Sequence, residues 1–135
     1  MLHIIVVEDS EDDIALLERR LKALSYEFEL HIFRGVKPAV EYLRQLQTVS
    51  SQAGRSVNAH LLLLDLGLQG EHGFEVLSFV KQCPELQDMP VFIVSASDNK
   101  EEIRNSYRYG GCVFIRKPLT AEVLNTAVQQ LVLTS

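Results

Sequence analysis

Charged and hydroxyl side chains follow four short apolar runs of the sequence. Glu8 and Asp9 come directly after the first run, Asp65 follows a run of four leucines, and Ser95 follows the run VFIV. Lys117 stands just beyond the run CVFI. In an open parallel sheet, ligands bind beyond the carboxyl ends of the strands. We therefore expect three carboxylates, one hydroxyl and one ammonium group to meet at a single site.

Three carboxylates at one site predict a bound cation, because like charges repel one another unless a cation lies between them. Oxygen ligands favour Mg²⁺ or Mn²⁺ over zinc, and Mg²⁺ commonly shares its coordination with phosphate. Asp65 would then attack phosphorus and form an acyl phosphate. The metal and Lys117 would stabilise the phosphoryl oxygens, and the Ser95 hydroxyl and the Ala96 backbone N–H would donate hydrogen bonds to them.

Length and charge narrow the class of protein. A chain of 135 residues has the size of one ordinary domain, so we expect one domain over residues 1–135 and no output domain. Eighteen acidic and thirteen basic residues give a net charge of −5, which disfavours binding to nucleic acid or to an anionic membrane. The sequence shows no secretory leader, spanning segment or disulfide framework, so we expect a cytoplasmic protein.

Apolar runs alternate with segments of helical periodicity, which is typical of an α/β protein with a doubly wound parallel sheet. In the second run, apolar and polar residues alternate, as expected for a half-exposed edge strand. The strands are predicted at about Leu2 to Val7, Phe28 to Phe33, His60 to Leu64, Val91 to Val94 and Cys112 to Ile115.

Five helices are predicted between and after these strands. The first helix has an N-cap at Ser10, followed by Glu11, Asp12 and Asp13, which suit the helix dipole. The second helix has Pro38 in its first turn, and the third ends before Pro84. The fourth helix begins with a capping box at Asp98 and Glu101 and ends at Gly110 and Gly111, and the fifth runs from about Ala121 to Leu133. We interpret Gln47 to Asn58 as a solvated surface loop.

On these motifs, the chain resembles the receiver domain of bacterial two-component response regulators over essentially all of its length. The matching segments are VVEDS, LLLLDL with Gly73 eight residues after Asp65, VFIVSAS and FIRKPL. The resemblance implies a (βα)5 flavodoxin-like fold with strand order 2-1-3-4-5. The segment EEIRNSYRYGGCVFIRKPL and the long loop before the third strand further resemble stand-alone regulators that partner bacterial phytochrome kinases.

The resemblance also implies roles for individual residues. Asp65 would be phosphorylated by a sensor histidine kinase, and Mg²⁺ would be held by Glu8, Asp9, Asp65 and the backbone carbonyl of Gly67. The chain departs from the family at Gln69, which stands where a proline is frequent, so the rigidity of this loop is an open point.

Ser95 and Lys117 would sense the phosphoryl group, and Phe114 would be the rotating aromatic switch, although it lacks the hydroxyl of the tyrosine often found there. The output surface would consist of the fourth helix, the fifth strand and the fifth helix, and would mediate homodimerisation or partner docking. Apolar residues cover about half of the fifth helix, more than a core requires, so we expect some of them to be exposed. They are Val123, Leu124, Ala127, Val128, Leu131 and Val132, and Tyr107 and Tyr109 would extend the patch.

Other functions compete with a phosphoacceptor. A Mg²⁺-dependent phosphatase or mutase with Asp65 as nucleophile needs a second acid two residues later, where Gly67 stands. A pseudo-receiver would bind partners without phosphorylation, although every pocket residue is present. A flavodoxin-type cofactor binder is disfavoured because the acidic segment EDSEDD repels an uncompensated phosphate. We interpret the remaining strand histidines, His3, His31 and His60, as packing residues.

Overall fold

The computed structural model describes residues 2–70, 72–96, 101, 103, 104, 108 and 112–134. Its strands are β1 (Leu2–Val7), β2 (Phe28–Phe33), β3 (His60–Asp65), β4 (Val91–Ser95) and β5 (Cys112–Arg116). All pair in parallel, in the order β2-β1-β3-β4-β5. This confirms the doubly wound α/β class and the strand order 2-1-3-4-5.

The described helices are α1 (Glu11–Lys22), α2 (Val36–Gln52), α3 (Phe74–Gln82) and a C-terminal helix (Ala121–Thr134). Ser10 caps α1 as predicted, because its hydroxyl accepts a hydrogen bond from the backbone N–H of Asp13 at 3.3 Å. The predicted fourth helix, from Asp98 to Gly110, lies mostly outside the described residues, together with Tyr107 and Tyr109. The positions described within it, 101, 103, 104 and 108, are helical.

The second helix corrects the predicted loop at 47–58. It extends to Gln52, so the first half of that segment is helical. No glycine or proline interrupts the chain between Pro38 and Gly54, and nothing therefore ends the helix earlier. Gly54 then adopts a left-handed φ of 69°, and the Val57 N–H donates to the carbonyl of Glu85 at 2.8 Å. The remaining loop is short and anchored.

Two apolar clusters lie on opposite faces of the sheet. The first packs α2 and α3 against β1, β3 and β4, with Leu43, Leu64 and Leu77 fully buried. The second packs α1 and the C-terminal helix against the other face, around Leu21 and Leu61. Both faces are covered, which explains why the central strands are continuous apolar runs.

The C-terminal helix buries three of the six apolar residues on which the expected apolar surplus depends. Leu124, Ala127 and Val128 are buried against the sheet, Val128 to 1% exposure, and Val123 is half-buried. The side chains of Leu131 and Val132 lie outside the described residues. Val128 is therefore part of the core, and a charged residue at this position would disrupt folding.

In the described part of the chain, no helix is long and apolar enough to cross a membrane.

Candidate functional site

Acidic side chains converge at the carboxyl ends of β1 and β3, as the sequence predicts. Glu8, Asp9 and Asp65 each offer a carboxylate oxygen within 4.8 Å of the others. Glu8 and Asp65 are almost completely buried, whereas Asp9 is partly exposed. Such an all-oxygen group, open on one side, fits a hard divalent cation that retains part of its water shell. The structure thus contains a candidate acidic metal site at the predicted position.

Lys117 reaches into this site from the end of β5. Its Nζ atom lies 3.1 Å from Glu8 Oε2, 3.1 Å from Asp65 Oδ2 and 2.7 Å from Asp13 Oδ2. Asp13 is a site residue that the sequence reasoning missed, since an acid in the first turn of α1 is explained equally well by the helix dipole. Its position was the usable signal: Asp13 is the third residue after the N-cap Ser10, so it stays in the first turn of α1, close to the end of β1.

The electrostatics of the site reflect one ammonium group among several carboxylates. Burial, followed by the hydrogen bond to Asp65 and the charge of that residue, raises the pKa of Glu8 to about 7. Burial lowers the pKa of Lys117, but the hydrogen bond to Asp13 and the charges of Asp65 and Glu8 outweigh it and raise the pKa overall. Lys117 is therefore charged at neutral pH, and its single charge leaves Glu8 partly protonated.

The loop after β3 holds two of the acids in place. Asp65 Oδ1 accepts a hydrogen bond from the Gly67 N–H at 2.9 Å, and Asp9 Oδ2 accepts one from the Gln69 N–H at 2.7 Å. A proline at position 69 would have no N–H to donate. The departure from the family at Gln69 thus supplies a direct contact between this loop and Asp9.

Gly73 packs directly against the backbone at the start of the same loop. A Cβ atom at this position would lie 2.8 Å from the carbonyl oxygen of Asp65 and 3.3 Å from Leu66 Cα. Both neighbours are backbone atoms, so they cannot move aside without displacing the end of β3. The glycine that belongs to the LLLLDL motif is therefore required by a close approach of two backbone segments.

Replacing Gly73 with alanine should lower the free energy of unfolding by about 1–3 kcal/mol, the usual cost of overpacking a tight contact. Urea unfolding measures this change. Gly70→Asn is the matched control in the same loop, because asparagine tolerates the left-handed φ of 72° and nothing lies within 4 Å of the new Cβ. Equal stability of Gly73→Ala and the parent would contradict the inferred contact.

Ser95 and Ala96 border the site from β4. Ser95 is buried at the last position of the strand, and Ala96 follows it at the surface. Phe114 lies on β5 beside Ile93, half-buried, and packs against the cluster on the α2 and α3 side. The pocket is lined by Glu8, Asp9, Ser10, Asp13, Asp65, Gly67, Gln69, Ser95, Ala96 and Lys117. It therefore brings together all the predicted site residues except Phe114, which is absent from the lining.

Comparison with known proteins identifies the class to which this fold and site belong. The family model for the response regulator receiver domain matches residues 4–129. The chain therefore belongs to the receiver-domain family of response regulators, whose members are signalling phosphoacceptors. The family resemblance that the sequence motifs indicated is confirmed.

Individual relatives are similar over nearly the whole chain. The response regulator Rcp1 of Synechocystis sp. is 32% identical over 126 residues, which cover 93% of this chain and 83% of that protein. The crystal structure of Mn²⁺-bound Rcp1 has a TM-score of 0.69 at 31% identity and covers 96% of this chain and 91% of that chain. The phosphorylated cyanobacterial phytochrome response regulator RcpA has a TM-score of 0.75 at 30% identity, covering 99% and 96%.

Proposed function

We propose that Asp65 accepts a phosphoryl group from the phosphohistidine of a sensor histidine kinase, and that this transfer requires Mg²⁺ or Mn²⁺. The observation that supports this most directly is the position of the Lys117 ammonium, 3.1 Å from Asp65 and 3.1 Å from Glu8. A cationic donor beside a buried carboxylate is suited to stabilise charge on a phosphoryl group attached there. In this role the protein is a phosphoacceptor that assists its own phosphorylation and dephosphorylation, not an enzyme for a separate substrate.

In the proposed transfer, an Asp65 oxygen forms a bond to phosphorus while the phosphorus–nitrogen bond of the donor histidine breaks. Lys117, the Ser95 hydroxyl and the Ala96 N–H donate hydrogen bonds to the phosphoryl oxygens. Gly67 holds the other Asp65 oxygen through its N–H and so orients the carboxylate. We propose that formation of these bonds draws Ser95 toward the phosphoryl group, and that Phe114 on the neighbouring strand then changes position.

We propose that the metal is held by Glu8, Asp9, Asp65 and the Gly67 carbonyl. When bound, Mg²⁺ neutralises negative charge on the carboxylates and on the incoming phosphoryl oxygens. The donor set supports this assignment because all its members are oxygens and the three carboxylates lie within 4.8 Å of one another. Metal binding would also replace the proton that Glu8 retains, since its pKa lies near 7.

The parent protein should gain one phosphoryl group when incubated with acetyl phosphate and Mg²⁺, and should remain unmodified when EDTA replaces the metal. Intact-mass spectrometry measures both states. The expected dependence follows from the charge at the site, since several carboxylates repel the anionic donor unless a divalent cation is present. Modification to the same extent in EDTA would show that the acidic group does not act through a metal.

We propose a bacterial phytochrome as the sensor kinase, because similar proteins of this family include the phytochrome response regulator RcpA. Two bacteriophytochrome response regulators, AtBRR and RtBRR, are 29% and 27% identical to the chain and have TM-scores of 0.71 and 0.72. These likenesses extend over 97% of this chain in both cases.

We also propose that β5, with the elements beside it, forms the surface for homodimerisation or partner docking. Val113 on β5 is 48% exposed. Among the described residues, Val113 and Val49 are the only large apolar residues that are exposed. β5 is an edge of the sheet, and Arg116 at its end is exposed as well. An exposed edge that carries an apolar side chain is suited to a protein contact.

Val113→Glu should therefore abolish dimer formation or weaken phosphotransfer from the kinase, because a charge would be buried in the contact. Sedimentation velocity with and without beryllofluoride, a phosphoryl mimic, measures the first effect. Val49→Glu is the matched control, since Val49 is 63% exposed on α2, far from β5. A monomer in both states, with unchanged phosphotransfer in Val113→Glu, would remove this surface from the proposal.

A further inference from the structure

Three imidazole rings stack at the amino end of the sheet, at the end opposite the acidic site. The rings of His3 and His60 are 4.4 Å apart at an angle of 9°, and those of His3 and His31 are 5.4 Å apart at 19°. The strand register brings them together, because His3 pairs with both Glu29 on β2 and His60 on β3. His3 precedes Glu8 by five residues along β1, roughly 17 Å of extended strand.

Three atoms in this group have the spacing of metal ligands. His3 Nδ1 lies 3.1 Å from His31 Nε2 and 3.4 Å from Glu29 Oε2. Tetrahedral zinc has bonds of about 2.0–2.2 Å, which place neighbouring ligand atoms about 3.3 Å apart. The group offers one ligand atom from each residue within 4.8 Å of the others. Two of the three ligand distances thus match the edge of a zinc tetrahedron, and all three residues belong to β1 and β2.

The chemistry of these ligands differs from that of the acidic site. Two imidazoles and one carboxylate suit Zn²⁺ and similar transition metals, whereas Mg²⁺ prefers oxygen. Without a metal ion, one of the two imidazoles must donate a proton to the other across the 3.1 Å contact. A bound cation would take the place of that proton. Glu29 is 55% exposed, so an ion can enter from solvent.

From this geometry we propose that His3, Glu29 and His31 form a zinc-binding site, with the fourth position open to water. Neighbouring groups support the site without ligating the ion. His60 Nδ1 is 2.6 Å from the Asn58 carbonyl oxygen, which fixes the orientation of the ring that stacks on His3. The Tyr42 ring lies 5.0 Å from that of His31 and covers it from α2. A bound ion would join β1 to the edge strand β2.

The test is a zinc titration of the untagged protein against a chromophoric chelator, with excess Mg²⁺ to saturate the acidic site. The parent should bind one Zn²⁺, and Co²⁺ in its place should give the visible absorption of a tetrahedral complex. His31→Gln and Glu29→Gln should each weaken zinc binding by at least about tenfold. Because Glu29 is mostly exposed, Glu29→Gln should fold normally, and circular dichroism checks this.

Two control variants separate this site from other zinc ligands. His72→Gln removes an exposed loop histidine, and Asp65→Asn alters the acidic site, so both should bind zinc as the parent does. Loss of zinc binding in Asp65→Asn would place the ion among the acids and overturn the proposal. So would unchanged affinity in both His31→Gln and Glu29→Gln, or the absence of binding to the parent.

Discussion

Replacing Asp65 with asparagine should reduce the rate of phosphoryl transfer to the protein by at least about 10³-fold, because the amide cannot form an acyl phosphate. The substitution preserves side-chain volume and one oxygen that can accept the hydrogen bond from Gly67. It removes a buried negative charge beside Glu8, so the folded protein should be at least as stable as the parent. Radiolabelled phosphate transfer from an autophosphorylated histidine kinase measures the rate, and thermal unfolding checks the fold.

Asp12→Asn is the matched control, because Asp12 is an exposed acid in the first turn of α1 and is absent from the pocket lining. It should accept phosphate at the parental rate. Phosphorylation of Asp65→Asn at a comparable rate would mean that another residue is the acceptor. A folded parent that accepts no phosphate from a kinase or a small donor would instead favour the pseudo-receiver alternative.

Replacing Lys117 with glutamine should have two large effects of opposite direction. Binding of Mg²⁺ should strengthen by about tenfold or more, because the Lys117 ammonium lies 3.1 Å from both Glu8 and Asp65 and would repel a second cation held by these carboxylates. Phosphoryl transfer at saturating Mg²⁺ should slow by about 10²-fold, the usual cost of losing one donor to developing charge. Isothermal titration with Mg²⁺ and the rate of transfer from acetyl phosphate measure the two effects.

The opposed signs distinguish this role of Lys117 from a purely structural one, since general unfolding would weaken both processes. Lys37→Gln provides the control, because Lys37 is an exposed lysine on α2 outside the pocket. Neither quantity should change in that variant. Weaker Mg²⁺ binding in Lys117→Gln would mean that the lysine supports the metal site instead of competing with it.

The candidate site could be predicted from the sequence because its parts follow apolar runs. Buried parallel strands are nearly continuous apolar segments, so the positions of Glu8, Asp65 and Ser95 at strand ends are readable without coordinates. Their convergence then follows from the general rule that ligands bind at the carboxyl edge of such sheets. Asp13 was not identified, since its sequence position does not distinguish a helix-terminal acid from one that contacts Lys117.

Helix ends and helix burial were predicted less accurately from the sequence than the strands were. The end of α3 at Gln82 follows from Pro84, but the end of α2 was placed too early because Thr48, Ser50 and Ser51 are weak helix formers. For the C-terminal helix, the number of apolar residues did not indicate how much of its surface is covered. Only its packing against the sheet shows that Val128 is buried.

By itself, the sequence determined the α/β class, the strand order through its family resemblance, and the residues of the acidic site, because each depends on local patterns next to strand ends. Away from the carboxyl edge of the sheet, tertiary structure alone decided which distant side chains meet. His3, His31 and His60 are 28 or more residues apart, and their stacking depends on the register of β1 with β2 and β3. A shift of one residue in that register would turn the imidazoles to opposite faces of the sheet, so no local pattern could reveal the cluster.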